Sequence, residues 1–368
     1  MHHGKFGKMI EKLKRTYSGK RVFITGHTGF KGAWLTQFLL LLGANVKGLA
    51  LEPEYENSLF DLLTLNSECD SIIGDIRDFE SLSREISTFS PDFIFHLAAQ
   101  PLVRKSYESP IYTYEVNVNG TINILESLKK IRNKCQVIFV TTDKVYYNYE
   151  WVYPYRESDR LGGYDPYSAS KACAELVIES YRNSFFNISE YQKHLKSISV
   201  ARAGNVIGGG DWSVDRLIPD IVKSLVKNDT VIIRNPTSIR PWQHVLEPLL
   251  GYLILGSLSE KEPAKFSQAY NFGPYTSDSI AVEKMVQIAI NKWGSGAYKV
   301  ITNLNAPHEA GLLKLDINKS ISELEWKPKY DAVEALAKTL DWYKVYFDNS
   351  RSLKQFTKSQ ILDFISNV

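Results

Sequence analysis

Short apolar runs alternate with segments of helical length between residues 21 and 204. The runs are almost wholly apolar instead of alternating in polarity, which is typical of strands that are covered on both faces. The segments between them have the length and apolar content of helices. The pattern predicts strands at residues 21–26, 45–51, 71–74, 91–99, 135–142 and 197–204, and helices at 30–42, 79–88, 112–132 and 168–183.

This alternation predicts an α/β fold with a doubly wound parallel Rossmann sheet, because each parallel strand needs a crossover helix to reach the next. After Gly204 the pattern becomes irregular, and glycines and prolines separate short elements. We expect a smaller C-terminal α/β domain there, closing over the carboxyl edge of the sheet. The predicted segments are a charged leader outside the main fold (1–16), the sheet domain (17–204), the smaller domain with some segments returning to the first (205–347), and a tail with an amphipathic helix (348–368).

The composition is that of a globular protein. Of 368 residues, 44% are hydrophobic and 23% are charged, which excludes a disordered chain, a collagen or a simple coiled coil. A net charge of +3 gives no sign of a nucleic-acid partner. The three cysteines are far apart and form no metal-binding spacing with the seven histidines, so we expect no metal and a reducing compartment.

No targeting or membrane segment is evident in the sequence. The N-terminal residues are basic and polar, without the apolar core of a secretory signal. The most apolar stretch, residues 33–46, is shorter than the roughly 20 residues that a membrane span needs. The sequence therefore predicts a soluble, cytoplasmic protein with no membrane partner.

A glycine-rich loop, Gly26-His-Thr-Gly29-Phe-Lys-Gly32, joins the first predicted strand to the first helix. Glycines at this place allow a tight turn and close approach of the backbone to a pyrophosphate, and the helix N-terminus favours the negative charge. The spacing alone is weak, but the strand-to-helix context is the required one. We predict a dinucleotide site that includes Gly26, His27, Thr28, Gly29, Phe30 and Gly32, and the His27 side chain is a candidate for phosphate contact.

The second strand leaves the choice between NAD and NADP open. Ala50 stands near the position where an acidic residue usually binds the ribose, and Glu52 lies two residues further on. Glu52 either reaches the ribose or is a solvated loop carboxylate. The lack of a following arginine cluster favours NAD, and Asp75, after the third strand, is placed to bind the adenine amino group.

Two groups of polar residues point to acid–base chemistry. Tyr167 and Lys171 form a YxxxK pair on one helix face, where the ammonium would lower the pKa of the phenol so that it can remove a proton from a sugar hydroxyl. At the end of the fifth strand, Thr142 is placed to hydrogen-bond a reacting oxygen. Asp143 and Lys144 follow it and offer an acid beside a base.

Together these residues resemble the extended short-chain dehydrogenase/reductase family, and within it the nucleotide-sugar dehydratases, most closely the branch acting on CDP-glucose. The resemblance runs from about residue 17 to 347 and excludes the leader and tail. Related dTDP-glucose and GDP-mannose dehydratases carry Glu where this chain has Lys144. The strings that carry the resemblance are TGHTGFKGAWL, HLAAQPLVRKSY, TTDKVY, GGYDPYSASKACAELV, RAGNVIGGGDW and RNPTSIRPWQHVLEP.

The resemblance implies bound NAD and an oxidation at C4, a loss of water across C5 and C6, and a hydride return to C6, for the biosynthesis of a deoxysugar. Tyr167 would remove the C4 hydroxyl proton, with Thr142 polarising that oxygen and Lys171 tuning the phenol. Lys144, which must be neutral to act as a base, would take the C5 proton. Asp143 would protonate the leaving C6 hydroxyl.

The resemblance also assigns further binding positions and a homodimer. The helices at 112–132 and 168–183 would pair with their copies in a four-helix bundle. Cofactor contacts are expected at Ile76, Leu97, Ala98 and Ala99, and substrate contacts at Gln100, Asn205, Arg216, Arg240 and His308. The alternatives are another dehydratase or an epimerase of the same superfamily, which needs no Asp143–Lys144 pair, or a non-catalytic NAD-binding protein.

Overall fold

The structure is a computed structural model, and it describes residues 8–301 and 312–366. The strands are β1 (Arg21–Thr25), β2 (Asn45–Ala50), β3 (Asp70–Ile73), β4 (Phe93–His96), β5 (Cys135–Thr141), β6 (Lys196–Ala203), β7 (Val206–Ile207), β8 (Val231–Ile233), β9 (Ile239–Arg240), β10 (Gln243–His244), β11 (Ala269–Phe272), β12 (Ile280–Ala281) and β13 (Tyr298–Val300). The helices are α1 (Lys8–Tyr17), α2 (Phe30–Leu41), α3 (Leu59–Leu62), α4 (Phe79–Phe89), α5 (Val103–Glu108), α6 (Pro110–Tyr114), α7 (Gly120–Leu128), α8 (Pro166–Ser184), α9 (Tyr191–His194), α10 (Leu217–Val226), α11 (Leu246–Lys261), α12 (Pro263–Phe266), α13 (Val282–Trp293), α14 (Asn318–Leu324), α15 (Ala332–Asp348) and α16 (Leu353–Ser366).

The centre of the fold is a parallel sheet. Within the described residues it has seven strands in the order β11-β6-β5-β4-β1-β2-β3, and every neighbouring pair is parallel. The strand order reverses between β1 and β4, which is where such sheets open a crevice at their carboxyl edge. The predicted doubly wound Rossmann sheet is confirmed, and each of its six predicted strands is present.

Two hydrophobic clusters cover the two faces of the sheet. On one face α2 and α11 pack against the strands, and α15 and α16 add to the same cluster. On the other face α4, α7 and α8 form the second cluster. Because both faces are covered, the inner strands are buried along nearly their whole length, and β5 and β6 are buried at every position.

After β6, parts of the chain return to the central sheet. The described residues after β6 form three small two-stranded sheets, β7 with β10, β9 with β12, and β8 with β13. Between them α11 packs on the central sheet and β11 joins its edge beside β6. Segments after residue 204 therefore contribute a helix and a strand to the central sheet layer.

Helix α1 corrects the expectation that residues 1–16 form a leader outside the main fold. Leu13 and Tyr17 are fully buried in the core on the α11 side of the sheet. The Tyr17 hydroxyl donates to the Leu253 carbonyl oxygen at 2.8 Å, and Thr16 shares a 2.7 Å hydrogen bond with Ser257. The many lysines of this helix hid its apolar stripe, which is narrow but continuous with the core.

The C-terminal helix predicted in the tail is present as α16, and it too is part of the core. Ile361, Phe364 and Ile365 are buried against α15 and neighbouring elements. The Trp342 indole donates to the Thr357 hydroxyl at 2.9 Å, which fixes α16 against α15. In the described part of the chain, no helix is both long enough and apolar enough to cross a membrane.

The helix predicted at residues 112–132 is broken into two by a π-helical turn, Glu115–Asn119, between α6 and α7. Asn117 lies in this turn and is buried. Its side chain bonds both the backbone N–H and the carbonyl of Gln100, and it donates to the Ser170 hydroxyl at 2.9 Å. The amide of Asn117 in the π-turn therefore joins the loop after β4 to helix α8, and π-turns are common near functional sites.

Acidification from about pH 7 to pH 5 is expected to destabilise the fold by about 2 kcal/mol per pH unit. Burial lowers the pKa of His27 to about 4, and of His96 and His244 to about 3, from 6.5. Below pH 6.5 the unfolded chain therefore binds more protons at these histidines than the folded chain does. The free energy of unfolding decreases as the pH decreases. Burial raises the pKa of Glu247 to about 7. The folded chain therefore binds about one proton more at this carboxyl group than the unfolded chain does, which partly offsets the effect of the histidines.

Urea unfolding at a series of pH values measures this slope. Replacing His244 with Asn should reduce proton uptake on unfolding by about one, because that histidine is 1% exposed and stays neutral when folded. A free energy of unfolding that does not change over this range would contradict the buried, neutral state of the three histidines.

Candidate active site

The carboxyl ends of the strands converge on one crevice. The loops after β1, β3, β4, β5 and β6 meet there, since the strands are parallel and adjacent. These loops carry most of the residues that the sequence analysis selected. They come from points up to 180 residues apart in the chain, and the parallel register alone brings them to one edge.

The glycine loop has the shape that a dinucleotide requires. Gly26 has a positive φ of 76°, and a Cβ there would lie 2.8 Å from the Ala98 backbone nitrogen. A Cβ on Gly32 would lie 2.0 Å from the Gly26 carbonyl oxygen. Gly29 instead is exposed, and a Cβ there would meet only that carbonyl, at 3.5 Å. The loop thus packs tightly against protein on two sides and opens at the N-terminus of α2, where a pyrophosphate fits.

The His27 side chain, predicted as a phosphate contact, points into the protein in this structure. Its ring is fully buried, shares a 2.7 Å hydrogen bond with the Ser71 hydroxyl, and packs edge-on against Phe60. It lies on Gly48 of β2, where any Cβ would clash with the ring at 2.2 Å. Because Gly48 has no side chain, the His27 ring has room beneath the glycine loop, away from the open side of that loop.

The residues expected around the adenosine lie at the edge beyond β2 and β3. Asp75 accepts hydrogen bonds from the backbone and the guanidinium of Arg77. Burial raises the pKa of Asp75, but the Arg77 hydrogen bonds outweigh it and lower the pKa overall. Ile76 is buried and packs on Gly120, whereas Glu52 is exposed. Asp75 is therefore a carboxylate acceptor at this edge.

The loop after β4 provides a half-buried wall at Leu97, Ala98 and Ala99. Gln100, predicted to bind substrate, is only 4% exposed. Its side chain bonds both backbone groups of Leu102 and the Thr113 hydroxyl. Gln100 therefore stabilises the loop after β4, and its predicted contact with substrate stays a prediction.

Thr142, Asp143 and Asn205 form a hydrogen-bonded chain between the ends of β5 and β6. The Thr142 hydroxyl donates to Asp143 Oδ1 at 2.9 Å, and Asn205 Nδ2 donates to Asp143 Oδ2 at 3.2 Å. Asp143 is 1% exposed. Both oxygens of the buried carboxylate thus have donors, which fixes its orientation. Lys144 follows in the same turn and is half-buried.

Replacing Gly204 with Ala is expected to displace Asp143 and lower turnover by about 10²-fold, since small misplacement of a reacting group has that cost. A Cβ at Gly204 would lie 2.0 to 2.2 Å from three atoms of the Asp143 carboxyl group. Gly273→Ala is the matched control at the end of the neighbouring strand, because its Cβ would meet Leu315 at an ordinary 3.6 Å. The test is to measure turnover and thermal stability of both variants. Equal turnover in the two would contradict the expected displacement of Asp143.

Tyr167 and Lys171 lie on the same buried face of α8. Burial raises the pKa of Tyr167 to about 12, against the lowering effects of its hydrogen bond to Thr142 and the charge of Arg216. The predicted lowering of the Tyr167 pKa by Lys171 is therefore not observed in the protein chain by itself. Lys171 Nζ instead donates to the Val140 carbonyl oxygen at 3.2 Å, and burial lowers its pKa to about 8.

Two further cations belong to the charged groups of this site, Arg216 and Lys31, and the sequence analysis missed Lys31. Arg216 is held by Asp211 at 2.9 Å and lies near Tyr167. Burial lowers the pKa of Lys31 to about 7, and the positive charges of Arg216 and Lys171 act in the same direction. Lys31 is half-buried and lies near enough to Arg216, Lys171 and Asp143 for their charges to act on it. Its position in the first turn of the phosphate-binding helix was the available signal.

The remaining predicted substrate residues are Arg240 and His308. Arg240 is half-buried at the end of β9, which pairs with β12, and its guanidinium donates to the Ile239 carbonyl oxygen. His308 lies outside the described residues. In the described part of the chain no cluster of acidic, histidine and cysteine side chains is suited to a metal ion.

Known proteins share this arrangement of elements and motifs. A family model described as GDP-mannose 4,6 dehydratase matches residues 23–339. CDP-glucose 4,6-dehydratase from Salmonella typhimurium is 50% identical over 353 residues, which cover 96% of this chain and 98% of that protein. CDP-paratose 2-epimerase from Salmonella typhi is 24% identical, over 88% of this chain and 98% of its own length.

Solved structures share the fold. dTDP-glucose 4,6-dehydratase from Bacillus anthracis, solved in complex with NAD, has a TM-score of 0.74 at 21% identity, covering 92% of this chain and 100% of that chain. The epimerase Mth375 from Methanothermobacter thermautotrophicus has a TM-score of 0.77 at 24% identity, covering 94% of this chain and 98% of its own.

Proposed function

The chain belongs to the GDP-mannose 4,6-dehydratase family, and on that premise we propose that it is an NAD-dependent nucleotide-sugar 4,6-dehydratase acting on CDP-glucose. The reaction converts CDP-D-glucose to CDP-4-keto-6-deoxy-D-glucose and water. The choice of CDP-glucose is supported by the 50% identity to the Salmonella typhimurium enzyme across nearly the whole chain. The product would serve the synthesis of a deoxysugar for a surface polysaccharide such as lipopolysaccharide.

The observation that carries the proposal is the convergence of Tyr167, Thr142 and Asp143 in one buried, hydrogen-bonded group beside the glycine loop. Thr142 bonds Asp143 and also interacts with the Tyr167 hydroxyl. An epimerase needs the tyrosine to oxidise C4 but has no need of an acid and a base at C5 and C6. Asp143 and Lys144 at the same strand end therefore favour dehydration over epimerisation.

NAD fits the crevice, because Gly26 and Gly32 close the loop on protein while Gly29 faces open space at the N-terminus of α2. When bound, NAD supplies the acceptor for the hydride of C4 and its donor to C6. The residues proposed to hold it are the glycine loop, Asp75 and Ile76 at the adenosine, Leu97–Ala99 along the wall, and Tyr167 with Lys171 at the nicotinamide ribose.

The proposed proton transfers follow from these positions. Tyr167 removes the proton of the C4 hydroxyl, and Thr142 hydrogen-bonds that oxygen. The 4-keto group then acidifies the C5 proton, which Lys144 accepts. Asp143, in its protonated form, delivers a proton to the C6 hydroxyl as it leaves as water, and Lys144 returns a proton to C5 when hydride reaches C6. Hydrogen bonds from Thr142 and Asn205 fix the orientation of the Asp143 side chain, which supports a defined role for it in this step.

The diphosphate of the substrate needs cations on the smaller domain. Arg216 and Arg240 are proposed to bind it, since a guanidinium grips phosphate oxygens in a bidentate manner. Arg216 is already orientated by Asp211. Asn205 and His308 remain proposed substrate contacts, the first through its place beside Asp143.

The decisive experiment is mass spectrometry after incubation of the purified protein with CDP-glucose, dTDP-glucose, UDP-glucose and GDP-mannose in deuterated water. Loss of one water from CDP-glucose, with one deuteron gained at C5, is the expected result. Isomerisation without loss of water would favour an epimerase. No change in any of the four would overturn the proposed substrates and leave a non-catalytic NAD-binding protein.

We also propose a cytoplasmic homodimer formed by the helices between residues 103 and 128 and by α8. Apolar side chains are exposed along these helices, and their exposed fractions are 76% at Ile111 and 55% at Leu176. Pairing with a second copy would bury them in a four-helix bundle. Sedimentation equilibrium of the purified protein tests this state, and a monomer at micromolar concentration would contradict it.

A further inference from the structure

The segment that carries Thr142, Asp143 and Lys144 is tied at both ends to one buried ion pair. The pair joins Glu175 of α8 to Arg202 of β6, and their charged groups lie 2.6 Å apart. Arg202 Nε donates to both carboxylate oxygens at 3.0 Å, so the contact is multidentate. The side chains are only 3% and 4% exposed. Such buried pairs add little net stability, which points to another role.

The ion pair holds the segment by two hydrogen bonds. At the start of the segment, the Thr141 hydroxyl donates to Glu175 Oε1 at 2.6 Å. At the end, Arg202 Nη1 donates to the Tyr146 hydroxyl at 2.7 Å. The Tyr146 hydroxyl in turn donates to Asn271 Oδ1 of β11 at 2.7 Å, which links the end of the segment to the neighbouring strand. The four residues between the two tethers are those that contain the predicted reacting groups.

The same carboxylate acts on the tyrosine side of the site. Tyr167, Lys171 and Glu175 are spaced four residues apart on one face of α8. Burial lowers the pKa of Lys171, and Glu175 is the charge that opposes this lowering. One ion pair therefore contacts the elimination segment and also helps to keep Lys171 protonated beside Tyr167.

We propose that Glu175 and Arg202 are positioning residues that fix the segment 142–145 relative to Tyr167, and that Tyr146 is the contact through which they align the elimination groups. This inference rests on the proposed dehydration. Tyr146 lies two residues after Lys144 and does not bond the oxidation group Tyr167. Loss of its hydroxyl should therefore disturb the loss of water more than the oxidation at C4.

Tyr146→Phe tests this division with CDP-glucose deuterated at C4 or at C5. We expect kcat to fall by about 10- to 100-fold with KM unchanged, as for a small misplacement of reacting groups. The C5 isotope effect should rise, because elimination becomes slower, and the C4 isotope effect should not. A smaller folded fraction would lower the rate without changing either isotope effect.

Tyr17→Phe is the matched control, since it also removes one buried tyrosine hydroxyl bond, to Leu253, on the far α1 helix. It should leave both isotope effects unchanged. Wild-type isotope effects in Tyr146→Phe, or equal changes in the two variants, would overturn the positioning role.

Two further measurements keep the inference separable from the proposed function. Thr141→Val releases the other tether with little change of shape and should give the same fall in kcat, so it serves if Tyr146→Phe fails to fold. Hydrogen exchange of the amides at residues 142–147 needs no substrate, and it should quicken in both variants but not in Tyr17→Phe. If wild type leaves CDP-glucose unchanged, the proposed function fails, and unchanged exchange would independently overturn the positioning role.

Discussion

Tyr167→Phe is expected to lower kcat for CDP-glucose by about 10²- to 10⁴-fold with little change in KM, the range for losing a general base. The hydroxyl is buried, 8% of the residue is exposed, and it interacts with Thr142 at the end of β5. A phenylalanine ring fills the same space but cannot take the C4 proton. Both oxidation and elimination should be lost, because the C5 proton becomes acidic only after C4 is oxidised.

Tyr181→Phe is the matched control on the same helix. It removes a hydroxyl that bonds Glu126 at 2.6 Å, three to four turns from Tyr167. Rates are measured by product mass spectrometry, and retained NAD is measured after gel filtration. If Tyr167→Phe kept more than about a tenth of wild-type turnover, another group would have to be the base at C4.

Lys144→Met is expected to stop the loss of water, again by about 10²- to 10⁴-fold, while leaving oxidation at C4. Lys144 is half-buried in the turn beside Asp143 and is the predicted acceptor of the C5 proton. Methionine keeps the length of the side chain but removes the amine. In a single turnover, deuterium should still leave C4, while exchange of the C5 proton with deuterated water should cease.

Lys144→Arg separates a base from a mere positive charge, because a guanidinium stays protonated at neutral pH. If the amine is the base, the arginine variant is as impaired as the methionine variant. If the arginine variant retains turnover, the role of Lys144 is electrostatic, and the proton of C5 must go to another group. Normal elimination in Lys144→Met would exclude both roles.

The sequence by itself determined the sheet and the chemistry-bearing loops. Apolar strand runs, the glycine spacing after β1 and the YxxxK pair on α8 depend on neighbours within a few residues, so their structure could be predicted locally. The parallel order then places every strand end at one edge. For this reason Thr142, Asp143 and Tyr167 could be expected together before any contact was known.

Only the tertiary structure decided which polar side chains face the crevice. His27 and Gln100 stand in the right loops, but contacts with Ser71 and Thr113, distant in sequence, turn them into the protein. Lys31 was overlooked because its charged neighbours come from a helix and loops distant in sequence.

The same limit applied to charge and packing. The net rise in the pKa of Tyr167 follows from its burial, which a helical spacing of four residues does not reveal. The ion pair between Glu175 and Arg202 joins residues 27 positions apart on a helix and a strand. Helix α1 has the composition of a polar leader, and only its packing against α11 shows that its apolar side chains are buried. Local patterns fix elements, whereas the depth and direction of a side chain depend on segments that only folding brings together.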